Sequence, residues 1–284
     1  MRSHSLCAVV LALAPVAGCS SERGTPTPEV QAPAASASNV VTFTAEDYSF
    51  KGPAEIPAGL TQFRLANKGT EPHHLTVVRI EQGRTYDSLM AALRRPGPPP
   101  AWARPVGGPN APDPGAESNA EHMLEPGNYA VLCFVPTKEG VPHLAKGMVA
   151  PLKVTEAVGP SATPRAADVV MKLSDYDFEL SSPLTPGERV IRVVNSAQQV
   201  HEVELAKLSP GKSVQDLIAW EMGGRKGAAP GKWVGGIATL AQGEQGQFTV
   251  AVEPGDYALI CFVPDAKDGK PHLAHGMAKT IKVG

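Results

Sequence analysis

The sequence predicts an all-β protein made of two tandem β-sandwich domains, each with one short helix and one long loop. Three observations carry this expectation. The chain repeats itself at a fixed spacing; its apolar residues alternate with polar ones in short runs closed by Gly, Pro or Asn; and its 284 residues include 28 Gly and 28 Pro, more than a helical bundle or coiled coil tolerates. A hydrophobic share of 42% and a charged share of 19% suit ordinary globular domains, and the length fits two of them at roughly 100–200 residues each. The formal charge of −2 offers no basic footprint, so no nucleic acid is expected as a partner.

In chain order the first element is a targeting segment, a signal peptide over residues 1–18. Arg2 supplies its positive start, and Leu6 to Ala14 an apolar stretch shorter than the ~20 residues of a membrane-spanning helix. The run Val16-Ala17-Gly18-Cys19 resembles the lipobox of bacterial lipoproteins. That resemblance implies lipidation of Cys19, a membrane anchor through it, and export to the periplasmic side of the cell envelope. Ser20 behind the cysteine favours the outer membrane if the cell is Gram-negative. Residues 19–39, rich in Ser, Pro and Ala, read as a disordered tether.

The repeat sets the next boundaries: residues 40–155 and 168–284 form the two expected domains, and residues 156–167, rich in Gly, Pro and Ala, link them. Tyr48-Ser49-Phe50 recurs as Tyr176-Asp177-Phe178, Asn67 as Asn195, His73 as His201, Val106-Gly107-Gly108 as Val234-Gly235-Gly236, and Tyr129 as Tyr257, each 128 residues on. Behind Cys133 and Cys261 one inserted residue moves the spacing to 129. Within each copy, Tyr86 to Leu93 and Ser213 to Trp220 place Leu at helical spacing behind Asp or Ser caps, predicting the short helices. The stretch from Arg94 to Asn119 is so rich in Pro and Gly that it predicts an irregular surface loop.

Each copy also carries four residues suited to a soft metal. In the first they are His73, Cys133, His143 and Met148; in the second, His201, Cys261, His272 and Met277. Two imidazoles, a thiolate and a weak thioether are the donors of an electron-transfer copper site, because sulfur holds Cu(I) and imidazole suits Cu(II). Either cysteine could instead be an inert core thiol. Recurrence of all four residue types at matched spacing, while the intervening sequence drifts, favours the metal.

Taken together these motifs resemble the cupredoxins, the blue copper proteins of the plastocyanin and azurin kind, over nearly all of residues 40–284. Gly127, Tyr129, Cys133, His143, Gly147 and Met148 match the family's carboxyl-terminal signature, as do Gly255, Tyr257, Cys261, His272, Gly276 and Met277. Asn67 to His73 and Asn195 to His201 match its upstream Asn-x5-His. The resemblance implies Greek-key sandwiches, one type 1 copper per domain, and a solvent-facing edge of His143 or His272 as the electron portal. Two positions depart from the pattern. His74 and Glu202 follow the first histidine where the family has a small polar residue; His74 competes with His73, and Glu202 would disfavour a nearby thiolate.

The expected function is one-electron transfer with a redox partner protein of unknown identity, and not catalysis. Eight histidines leave only His74, His122 and His275 once His4 and the proposed ligands are set aside, too few for a trinuclear copper centre. Leu132 and Ile260 precede the cysteines, where nitrite reductases have a histidine. The alternatives are a metal-free cupredoxin-fold lipoprotein acting as a binding or structural module, and a copper-handling protein for storage or delivery.

Overall fold

A computed structural model describes residues 38–95 and 97–284. The signal peptide, Cys19 and nearly all of the tether lie outside the described residues. The first half contains β1 (Asn39–Glu46), β2 (Ser49–Lys51), β3 (Glu55–Pro57), β4 (Gly59–Asn67), β5 (Thr76–Ile80), α1 (Tyr86–Leu93), β6 (Ala103–Gly107), β7 (Glu117–Leu124), β8 (Gly127–Leu132) and β9 (Val149–Thr155). The second contains β10 (Val169–Ser174), β11 (Asp177–Leu180), β12 (Gly187–Asn195), β13 (His201–Leu208), α2 (Val214–Met222), β14 (Gly231–Leu240), β15 (Gln245–Val252), β16 (Gly255–Ile260) and β17 (Ala278–Val283). The all-β expectation holds.

The strands form two sheets, one of eight in the order β11-β10-β12-β15-β7-β4-β1-β2 and one of nine in the order β17-β16-β13-β14-β6-β5-β8-β9-β3. Each half closes its own core between them. Val41, Phe43, Phe63 and Leu65 of the first sheet meet Val77, Tyr129, Val131 and Leu152 of the second, and Met171, Leu173, Val193 and Phe248 meet Val203, Leu205, Tyr257 and Leu259. The nine-stranded sheet is covered on its outer face as well. Leu89 of α1 packs on Val78, Ala130 and Leu132, and Leu217 of α2 on Ala206, Ala258 and Ile260. This explains why β8 and β16 read as continuous apolar runs. Their odd positions enter the sandwich and their even ones meet the helix.

The helices start where the sequence supplies a cap. Ser213 and Asp216 make a reciprocal capping box at α2, whereas at α1 it is Thr85, not an Asp or Ser, that accepts from Ser88 N. The stretch from Arg94 to Asn119 is not wholly irregular, contrary to expectation: it contains β6 and the start of β7. Pro105 and the two following glycines mask β6 in the sequence. Gly108 and Gly236 explain the repeated Val-Gly-Gly: their φ values are 130° and 142°, and a Cβ would lie 1.9 Å from Leu75 O or 2.1 Å from Val203 O.

β6 and β7 matter because they join the halves. β7 pairs with β15 and β6 with β14, both antiparallel, so each sheet runs on across the junction. By the repeat, each of these strands meets its own counterpart, which places a pseudo-two-fold axis at the join. The register agrees. Pro109 bridges Ile237, its counterpart 128 residues on, while Asn119 exchanges hydrogen bonds with the Thr249 backbone and Gln247 donates to Glu121, a symmetry-related pair of pairs.

Candidate metal centres

At one end of each sandwich, the residues leading into β5 or the start of β13, the end of β8 or β16, and the turn before β9 or β17 bring the expected donors together. Cys133 continues the inward parity of Tyr129 and Val131, so its thiol enters the core at the strand end. His73 follows a loop locked by Asn67, whose amide donates to Glu71 O and Pro112 O while its oxygen accepts from Gly69 N. Asn195 does the same with Gln199 O, Leu240 O and Ala197 N. These are the structural roles of the two Asn-x5-His motifs.

The ligand loop is cross-braced in the same way twice. His143 N donates to Val135 O, Leu144 N to Cys133 O, Cys133 N to Met148 O and Met148 N to His143 O, and His272, Leu273, Cys261 and Met277 repeat the pattern. A one-turn 3-10 helix starts at each second histidine and ends on Gly147 or Gly276, at φ 106° and 102°, a left-handed conformation that explains Gly before Met.

His73, Cys133 and His143 offer donor atoms within 4.8 Å of one another, as do His201, Cys261 and His272, and all six residues are buried. His73 Nδ1 lies 3.0 Å from His143 Nδ1, which is 3.5 Å from Cys133 Sγ; Cys261 Sγ lies 3.9 Å and 3.4 Å from Nδ1 of His201 and His272. Met148 and Met277 are buried in the same clusters as Cys133 and Cys261. His74 does not compete with His73. Its Nε2 accepts from Phe134 N at 2.7 Å, and Glu202 Oε1 accepts from Phe262 N at 3.0 Å in the second half.

The outward Nε2 atoms meet acceptors. His73 reaches Asp47 at 2.8 Å and His143 reaches Glu71 at 2.9 Å; His201 reaches Asp175 at 3.0 Å, and His272 has Gln199 at 3.4 Å and Asp265 at 3.7 Å. Glu71 and Thr137 correspond to Gln199 and Asp265, so the carboxylate changes position between copies while each second histidine keeps one. Burial alone would raise Asp47, but hydrogen bonds from Thr70 and His73 hold it down to about 2. These oxygens can only accept from Nε2, which fixes the tautomer with the proton outward and leaves the Nδ1 lone pairs facing inward. Two such lone pairs 3.0 Å apart beside a sulfur fit a cation between them.

Burial also sets the protonation of the cluster. It pushes the Cys133 thiol up to about 12, and burial followed by the Glu202 charge raises Cys261. All four clustered histidines are lowered, chiefly by burial, His272 to about 4. The expected solvent-facing imidazole edge is not there. His143 and His272 are buried, their Nε2 edges are occupied, and the rings of Tyr48 and Tyr176 stand 4.9 Å and 5.5 Å from them. Sequence reasoning missed these covering residues, although Asp47-Tyr48 and Asp175-Tyr176 recur at the repeat spacing. Both cysteines are free, so no bridge joins Cys133 to Cys261.

No family model and no curated protein matches the sequence. Solved structures do. A dithionite-reduced auracyanin from the photosynthetic bacterium Roseiflexus castenholzii is 22% identical, with TM-score 0.31, covering 42% of this chain and 99% of its own. The Blue Copper Oxidase of Nitrosomonas europaea is 15% identical, TM-score 0.25, over 87% of this chain and 86% of its own. The Cu-containing nitrite reductase of Thermus scotoductus SA-01 is 11% identical, TM-score 0.24, over 86% and 61%. Such likeness concerns the fold, and assigns no reaction. It does correct one expectation: with oxidases and a nitrite reductase among the matches, the exclusion of an enzyme from the histidine count does not stand. Among the described residues no helix is long and apolar enough to cross a membrane.

Proposed function

We propose that each centre holds one copper ion as a type 1 site, through His73, Cys133, His143 and Met148 in the first half and His201, Cys261, His272 and Met277 in the second. The observation that carries this reading is the twofold occurrence of buried His/Cys/His donors with inward lone pairs. Copper bound there supplies a one-electron couple between Cu(I) and Cu(II). The chain's own part is to hold the donors still. The doubly braced ligand loop and the anchored imidazoles leave little to rearrange between oxidation states. Buried donors with occupied outer edges favour retaining a metal over handing it on. The function is electron transfer with a redox partner protein, on a chain exported and held at the envelope membrane by lipidated Cys19.

Titration of the chain with copper tests the reading. The expected result is an intense visible thiolate-to-copper charge-transfer band and two bound coppers, one lost in each of Cys133→Ser and Cys261→Ser. A folded protein with both thiols free, no band and no tightly bound copper would overturn it. One copper lost from only one of the two variants would confine the function to that half.

A further inference from the structure

A polar connection runs from one centre to the other through the join between the halves. On the inner side of each cysteine the next residue's amide is hydrogen-bonded to a buried side chain, Phe134 to His74 and Phe262 to Glu202. His74 and Glu202 are counterparts in the repeat. Because His74 Nε2 accepts from an amide, its proton sits on Nδ1 and faces away from Phe134.

Asn110, buried beside the pseudo-two-fold axis, is tied to both halves, and on the first-half side Leu75 N, next to His74, donates to Pro109 O at 3.1 Å. Asn110 Nδ2 donates to Val203 O at 3.1 Å, on the residue next to Glu202, and reaches Ile237 O at 3.4 Å. A second link runs beside it: Thr76 Oγ1 stands 3.3 Å from His74 Nε2 and 3.2 Å from Thr239 Oγ1 of the other half. The outward imidazole edges, by contrast, are covered by Tyr48 with Glu71 and by Tyr176 with Asp265.

Resting on the copper reading above, we infer that single electrons pass between the two centres, from Phe134 and His74 across the Leu75–Pro109 and Asn110–Val203 hydrogen bonds to Glu202 and Phe262. One electron leaves a centre, oxidising Cu(I) to Cu(II), and reduces Cu(II) to Cu(I) at the other. No bond is made or broken, and no proton is transferred. The route would start at each cysteine, whose sulfur would bind the copper, and continues through covalent and hydrogen-bonded links across the join. The two ends differ, an imidazole at one and a carboxyl at the other. That difference in the surroundings of the sulfur separates the two potentials and gives transfer a direction.

The test uses the full chain loaded with two coppers. A flash reduces a small fraction of the centres, and the two charge-transfer bands, assigned from the Cys133→Ser and Cys261→Ser proteins, are followed in time. A phase whose rate does not depend on protein concentration is expected. It should slow by an order of magnitude in Asn110→Leu and stay unchanged in His122→Gln, at the same join but off the route. Should Asn110→Leu fail to fold, Asn110→Ala, which removes the Nδ2 donor to Val203 O without adding bulk, tests the same link by the same slowing. With both bands present, absence of the internal phase, or an equal rate in every variant, overturns the inference and leaves the copper reading intact. Absence of the bands overturns both.

Discussion

His122 should make the protein acid-sensitive, and the size of the effect follows from its position. It lies on β7 at the join, buried, with Nδ1–H donating to Gln245 O at 3.3 Å. Nε2 is the one buried side-chain polar atom without a hydrogen-bond partner among the described residues. Gly107 and Gly246 lie against the ring so closely that a Cβ on either would fall 2.2 Å or 2.1 Å from Cε1. A proton on Nε2 would be a buried charge without an acceptor among the described residues, and burial accordingly lowers the His122 pKa from 6.5 to about 4. The unfolded chain therefore takes up the proton first as pH falls. The stability involved is whole above pH 6.5 and is lost progressively down to the folded value near 4. Near pH 4.5 the loss from this one group is about 2–3 kcal/mol, at 1.36 kcal/mol per pKa unit. Urea unfolding of the metal-free protein at neutral pH and near pH 4.5, beside His122→Gln, isolates it. The amide can still donate to Gln245 O but does not titrate, so the variant should lose about 2–3 kcal/mol less than wild type on acidification. Parallel losses in the two proteins would refute the reasoning.

Two further outcomes are expected. Gly236→Ala should cost at least about 3 kcal/mol or abolish folding, since its Cβ meets a backbone oxygen at 2.1 Å, whereas Gly243→Ala, at φ 79° with nothing within 4 Å, should cost about 1–2 kcal/mol; urea midpoints compare them. Copper binding at neutral pH should release about one proton per ion, because both thiols are raised by burial while the clustered histidines are already neutral. A weakly buffered titration with an indicator dye measures it, and release of no proton would mean that the thiolate is not a ligand.

The two His/Cys/His clusters were legible because their spacing is nearly fixed by local structure. Cys133 and Cys261 end strands of alternating parity, and each following His and Met are held by one 3-10 turn and one glycine. The helices were legible from leucine spacing, although the α1 cap was not, because Thr85 lies just before the stretch that draws the eye. What the sequence hid is long-range. β6 becomes a strand only through pairing on both sides with β5 and β14, against the local preference of Pro105 and Gly107. The acceptors on the imidazoles come from loops distant in sequence, and the carboxylate beside the second histidine is Glu71 in one half but Asp265, the counterpart of Thr137, in the other. A position-by-position comparison of the copies therefore shows a lost carboxylate where the folded molecule has relocated one. For the same reason the solvent-facing portal was expected and is absent: the covering tyrosines recur visibly, but nothing local says that they fold over a histidine.

The way equivalent strands meet has a consequence for how the chain avoids sticking to others. A half on its own would expose β6 and β7, or β14 and β15, as open edges with unpaired amides and carbonyls, ready templates for any passing strand. In the fused chain each half supplies the cap that the other lacks. The caps check one another. One sheet's contact is centred on Ala120 and Phe248, the other's on Pro109 and Ile237, and both pairs lie on one axis. A slip in one sheet would have to be matched in the other, and would tear Asn110 from Val203 O and Arg104 from Glu244 at the same time. Covalent fusion keeps the two edges together at an effective concentration no free half would reach, so the pairing forms within the molecule before another chain arrives.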